Sequence, residues 1–412
     1  MATASAISAS ATQPATPAAS TLLVSLSPLA PESLSATLAN LASAFPGQTI
    51  DVTTTDPLPA TPPASEHLRL TTSTPSIPAP GGWVLTAADF LNTHQRIKEL
   101  GPSACLLLGP EAQSLAPETL RALADAVVAH RCDLASPRYS LGPRDGLVNS
   151  AILYPVTRAL FATRPRYPLA VDLAFSARLA ERLAVCAQTH ITANQPGALI
   201  WPVAEAATSG FSITETPAGA RALPPPDAVD LNSLLAQVAG SFFADLDAKA
   251  SFWQRARLAY PPRSASPVSE SAPTPPDLSE PPDVQPMLDS FQLAYTNLQE
   301  IWSLVLPPNS LLGLKKLSLL PAASFRMPDA LWARIVYDFV LAYRLRTINR
   351  GHLLGALTPL YLAWVASHLM QTSGVGPDSV APEKRIEALA TAFEIDKPYL
   401  VSRWRWPDRF NP

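Results

Sequence analysis

The sequence predicts an α/β fold: a mostly parallel sheet flanked by helices, followed by an all-helical C-terminal region. Two observations carry this. Solid apolar runs of strand length alternate with helical patterns up to about residue 180, which is how strands covered on both faces of a parallel sheet read. A proline-rich tract at 260–286 then breaks the pattern, and beyond it the chain reads as helix.

The elements follow in order. TLLVSL at 21–26 is the first strand, and Pro31-Glu32 opens a helix with apolar residues at Leu34, Leu38 and Leu41. β-Branched residues in 48–55, QTIDVTTT, give a second strand, and HLRLTT at 67–72 follows a proline-rich loop. A helix is expected over about 85–100 and a buried strand at 103–109, SACLLLG. Another helix opens at Pro117-Glu118, CDLASP at 132–137 is a strand, and an apolar strand meets a helix near Asp172. In the C-terminal region Trp332, Ile335, Val336, Phe339, Val340 and Tyr343 share one helical face.

The 412 residues exceed the roughly 250–300 that one core holds. The expected division is a disordered tail at 1–20, an α/β domain at 21–258, a proline-rich linker at 259–286 and a helical region at 287–412. Nine prolines among the 27 residues of 260–286 forbid both a helix and a central strand there.

Composition excludes several classes. The chain has 45 prolines, 15% charged residues, 47% hydrophobic residues and a net charge of −3, so charge-driven disorder is excluded. No lysine and arginine clusters give the basic field that nucleic-acid binding needs. Cys105, Cys132 and Cys186 lie in apolar runs without a CxxC pair, as reduced thiols of a cytoplasmic protein do. The N-terminus has neither the basic segment nor the long apolar segment of a secretory signal. Leu353 to Met370 is uncharged and touches the lower length limit for a membrane span, but Pro359, Ser367, His352 and His368 favour a buried helix, with peripheral membrane contact as the remaining alternative. GxSxG, GxGxxG, Walker and HExxH motifs are absent. The six histidines, at 67, 94, 130, 190, 352 and 368, have no metal-ligand spacing and read as surface or helix-end residues.

Chemistry concentrates in 133–178. Its order is Pro-Arg-Tyr after a strand, Asp145-Gly146, Asn149, Tyr154-Pro155-x-Thr157-Arg158, Arg164-x-Arg166-x-Pro168, then Asp172 and Ser176. This resembles bacterial family-2-like glycosyltransferases of the GT-A fold, near the mannosylglycerate and glucosylglycerate synthase group. Where that group has Gly-Gly-Asp, this chain has Ala170-Val171-Asp172. Gly109-Pro110-Glu111 occupies the Asp-x-Asp position, Leu199 stands where a carboxylate precedes Ile-Trp, and Leu223 replaces a metal-binding histidine.

The resemblance implies the GT-A fold, a nucleotide-sugar donor and a small hydroxylated or saccharide acceptor. It places Asp172 and Glu205 as catalytic candidates and Asp56, Glu111, Asp145, Arg158 and Arg166 as donor-binding candidates. It also implies a Mg or Mn ion, for which Glu111 is the surviving carboxylate. Were the metal lost, Arg144, Arg158, Arg164, Arg166 or Arg221 offers a bidentate phosphate clamp. Each residue has a plainer reading. Asp145-Gly146 suits a turn, Asp172 a helix N-cap, Glu111 a solvated loop acid, and Arg158 an ion pair.

Two functions compete: a glycosyltransferase, and a catalytically silent relative kept as a binding or assembly module, a pseudoenzyme. Membrane contact and homo-oligomerisation stay open beside both.

Overall fold

The computed structural model describes residues 20–58, 67–79, 82–169, 171–223, 230–255, 283–373 and 380–406. The strands are β1 (Leu22–Leu26), β2 (Ile50–Thr54), β3 (Leu68–Thr72), β4 (Ala104–Leu108), β5 (Leu134–Ser140), β6 (Asp172–Ser176) and β7 (Ile213–Ala220). They form one sheet in the order β3-β2-β1-β4-β6-β5-β7, in which β6 runs antiparallel to both neighbours and all other pairs are parallel. Nearly all of the tail expected at 1–20, and 259–282 of the expected linker, lie outside the described residues. Ser20 is already part of the fold, its hydroxyl donating to the Leu22 carbonyl at 2.7 Å.

The solid apolar strands have a direct cause. Successive side chains point to opposite faces, so Leu22, Val24 and Leu26 enter one apolar cluster and Leu23 another. In β4, Leu106 and Leu108 face the first cluster, and Cys105 and Leu107 the second. The first face is covered by α1 (Pro31–Ala44) through Leu34, Leu38 and Leu41, and the second by α2 (Ala87–Leu100) through Phe90 and Ile97. Next, α3 (Pro117–Val128) joins the first face, and α4 (Tyr154–Phe161) follows a π turn at Asn149–Leu153. On the second face, α5 (Ala177–Thr192) packs through Leu179 and Leu183, and α6 (Pro202–Thr208) through Val203 and Ala206.

Strand β7 has no counterpart in the sequence reading. Its sequence, ITETPAGA, sits at the sheet edge and is only partly buried, so it lacks a solid apolar run and tolerates Pro217.

The helical region comprises α7 (Leu231–Ala248), α8 (Ala250–Trp253), α9 (Gln285–Asn297), α10 (Gln299–Val305), α11 (Pro308–Ser318), α12 (Asp329–Leu345), α13 (Arg350–Thr372) and α14 (Pro382–Arg405). The six residues that define one face of α12 are all buried, but so are Tyr337, Asp338 and Leu341, because packed helices surround it. Both α7 and α14 contact it, and their apolar residues join the cluster under the sheet. Helix α9 begins at Gln285, inside the tract expected as linker.

Helix α13 holds the uncharged 353–370 segment. It is long and apolar enough to cross a membrane, yet 83% of its apolar window is buried inside the protein. One expectation fails here: His368 is neither at the surface nor at a helix end. It is 1% exposed and stacks on the Trp364 ring with centroids 5.0 Å apart.

Burial pulls the His368 pKa down to about 4, with Arg385 and Arg166 adding to the effect. The unfolded chain therefore takes up a proton between about pH 6.5 and 4 that the native state refuses, so this contribution to stability is present above 6.5 and lost as pH falls through that window. His368→Gln is expected to flatten the decline in unfolding free energy between pH 7 and pH 4 by about 2–3 kcal/mol relative to wild type. Parallel pH profiles in both proteins would refute this.

Candidate functional site

The carboxyl ends of the strands, where open α/β sheets bind ligands, present two distinct features. The first is a buried charge centre at one end of the adjacent strands β4, β6 and β5, reached by the segment that follows β7. The chain leaves β4 through Gly109, whose side-chain position is closed: a Cβ there would stand 2.4 Å from the Val171 carbonyl oxygen. The first acid of an Asp-x-Asp therefore cannot be accommodated with this backbone. Gly109→Ala is expected to cost about 1–3 kcal/mol in urea unfolding, because backbone must move to admit one methyl group. A neutral substitution would show that Val171 yields freely.

Asp172 opens β6 opposite Leu108 and is completely buried. Its carboxylate accepts from the Gly109 N–H at 3.2 Å, the Tyr139 hydroxyl at 2.8 Å, Arg221 Nε at 2.8 Å and Arg221 Nη2 at 3.1 Å. The Arg221 side chain is equally buried. Its other donors reach the carbonyls of Pro110, Glu111 and Ala222 and the Ser114 hydroxyl. Both charges thus have their hydrogen-bonding capacity met by protein atoms. Burial disfavours the guanidinium charge, but Asp172 and then Tyr139 outweigh it and raise the Arg221 pKa. Burial, followed by the Asp172 charge, pushes the Tyr139 phenol well above its ordinary value, so it stays a neutral donor.

A register shift aims these groups. Arg138 pairs with Pro217 but Tyr139 with Gly219, which leaves Ala218 unpaired and puts Gly219 at φ +62°. Such a bulge bends and twists the strand that carries it. Arg221 follows two residues later. The N-cap reading of Asp172 is corrected, since Ser176 caps α5 by accepting from the Leu179 N–H.

Glu111 reaches this centre through its main chain. It adopts a left-handed conformation at φ 59°, its carbonyl accepts from Arg221, and its carboxylate accepts from Gln113 Nε2 at 2.6 Å. Leu223 packs partly buried against the core. Among the described residues no three His, Cys, Asp or Glu side chains gather as a metal site would require. With Gly109 sterically closed and Glu111 alone, the residues present do not fit the Mg or Mn ion that the resemblance implies.

The second feature is a cavity of about 420 Å³ bounded by the ends of β1, β2 and β3, by α2 and by the 72–79 segment. Hydroxyls dominate its wall: Ser25, Thr53, Thr54, Thr72, Ser73 and Thr93 all line it. Thr53 and Ser73 share a hydrogen bond at 3.1 Å, and Thr93 donates to Ser25 at 3.0 Å. Asp172, Glu111 and Arg221 do not line this cavity. Asp56 follows the lining residue Thr55 and accepts from the Leu29 N–H at 2.7 Å, fixing the loop after β1 to the end of β2.

The other candidates lie elsewhere. Glu205 is held by Arg182 at 2.5 Å and Lys249 at 3.1 Å, partners that Asp172 does not share. Burial raises its pKa less than Lys249 and Arg182 lower it, and the carboxylate stays charged. Asp145 accepts from the Gly142 N–H at 3.1 Å, and Gly146 follows at φ +61°, so this pair is a turn. Arg158 binds Glu387 and Glu394 of α14, the latter at 2.8 Å. Arg166 pairs with Glu383 at 3.2 Å and donates to Ser150 at 2.9 Å. Both arginines are thus ion-paired to α14. Tyr139 is the functional-site residue that sequence reasoning missed; it was visible only as the last member of Pro-Arg-Tyr.

The sheet with one reversed strand, helices on both faces and an all-helical C-terminal region define the chain as an α/β protein with a mostly parallel sheet. No protein-family model matches it, and no curated protein does. Among solved structures it is similar to glucosyl-3-phosphoglycerate synthase from Mycobacterium tuberculosis. The complex of that enzyme with Mn²⁺, UDP-glucose and phosphoglyceric acid matches at 16% identity and a TM-score of 0.33, over 56% of this chain and 80% of that one. Its phosphoglyceric acid complex matches at 14% identity and 0.33, and its UDP complex at 13% and 0.32, with the same coverage.

Proposed function

We propose that this chain is a GT-A-type glycosyltransferase homologue that binds a nucleotide sugar, or its sugar or nucleotide part, without metal-dependent transfer. The Asp172–Arg221 pair carries this reading. A general base must reach the hydroxyl it deprotonates, and Asp172 is buried with its oxygens occupied. A departing diphosphate needs surplus positive charge, and the Arg221 charge is already matched by Asp172.

Isothermal titration with UDP, UDP-sugars and GDP-sugars, with and without Mn²⁺, tests the reading. The expected result is binding that Mn²⁺ and chelator leave unchanged, with no nucleotide diphosphate released on incubation with acceptors. Mn²⁺-dependent release would sink it, as would failure to bind any of these compounds.

The cavity favours a second reading, metal-free transfer to a small hydroxylated or saccharide acceptor, because a wall of serine and threonine hydroxyls suits a sugar. Metal-independent turnover that disappears in Thr72→Ala with Ser73→Ala, two residues of the cavity wall, while the fold stays intact would support that reading over the first.

A further inference from the structure

Helix α11 turns apolar residues outward as well as inward. Ser310, Leu314 and Leu317 are its buried face. Leu312 is 52% exposed, and Leu319, directly after the helix, is 76% exposed. Lys315 and Lys316 lie between them at i+3 and i+4 and are exposed too, so the four share one outer stripe. Leu304 of α10 and Leu293 of α9, helices that pack against α11, are 60% and 65% exposed. Leucines exposed to this degree on three consecutive helices are more than the scattered apolar residues of an ordinary surface.

Charge identifies the partner. From 301 to 328 the sequence contains Lys315, Lys316 and Arg326 and no acidic residue, although the whole chain has a net charge of −3. Neither lysine is in an ion pair among the described residues. Leucines flanked by lysines whose long stems lie along an apolar surface while their ammonium groups stay in water are the pattern of a helix lying in a lipid interface. We propose that the outer face of α11 docks on an anionic membrane surface, with Leu312 and Leu319 entering the headgroup boundary and Lys315 and Lys316 meeting lipid phosphates. The contact differs from the one considered for 353–370, which is buried.

Flotation of the full chain with vesicles tests this. The protein is expected to rise with phosphatidylcholine vesicles containing phosphatidylglycerol, to stay below with phosphatidylcholine alone, and to be released by added salt. Lys315→Gln and Lys316→Gln are each expected to weaken partitioning about fivefold, and Leu312→Glu with Leu319→Glu to abolish it, with an unchanged unfolding midpoint because all four residues are exposed. Absence of co-flotation at low salt, or binding indifferent to all four substitutions, would overturn the proposal. So would a dimer that Leu312→Glu with Leu319→Glu converts to monomer without any lipid binding, since the face would then serve a second copy of the chain.

Discussion

Asp172→Ala is expected to lower the unfolding free energy by about 3–5 kcal/mol, the usual cost of leaving a buried charge without its partner. The substitution leaves the fully buried Arg221 side chain without its counter-charge, and it also removes the acceptor of the Tyr139 hydroxyl and the Gly109 N–H. Arg221→Ala is expected to cost a similar amount for the mirror-image reason. The discriminating measurement is the double variant Asp172→Leu with Arg221→Met. Replacing both members of a buried pair by apolar groups is often close to neutral, so the double variant should be far more stable than the two single losses added together. Urea unfolding of the four proteins closes the cycle. Single costs below about 1 kcal/mol would mean that water reaches the pair. If the wild-type chain does transfer sugar, and Asp172→Ala ends turnover while unfolding as the parent does, Asp172 acts at an acceptor and the binding-only reading is wrong.

Trp332→Ala is expected to cost about 3–5 kcal/mol as well, through a different mechanism. The indole of α12 is fully buried, stacks on Trp364 with centroids 6.3 Å apart, and donates from Nε1 to the Ala151 carbonyl at 2.8 Å. Ala151 lies in the π turn that leads into α4. The side chain thus fills a cavity and satisfies a buried carbonyl across the junction between the α/β part and the helical region. Trp332→Phe keeps most of the apolar contact but leaves that carbonyl unpaired, at about 1–3 kcal/mol. Equal losses for the two variants would mean that the hydrogen bond, rather than packing, dominates the site.

Much of the fold was legible because it depends on local pattern. The runs at 21–26 and 103–109 are solid because alternate residues serve two separately covered faces, and the proline-glutamate pairs at Pro31 and Pro117 do open helices. Edge strand β7 was not legible, since an edge with one weakly covered face needs no apolar run. The site was legible in position only. Asp172 and Arg221 were both singled out, but nothing local says that residues 49 positions apart neutralise each other. The ion pairing of the arginines expected to bind phosphate was not legible for the same reason: Glu383, Glu387 and Glu394, their partners, lie more than 200 residues downstream on one side of α14. His368 looked like a polar interruption in an apolar run, and only the packing of Trp364 shows why it is tolerated inside.

The ion pairs of Arg158 with α14 also bear on how the protein is made. They join residues separated by up to 236 positions. During synthesis the strands and α4 leave the ribosome long before Glu387 and Glu394 exist, so α4 waits with Arg158 unpaired and its apolar side uncovered. At about 5–20 residues per second, that wait lasts on the order of ten seconds or more. The nascent chain passes through this stage with exposed apolar surface, and the contacts of α4 close only when α14 arrives.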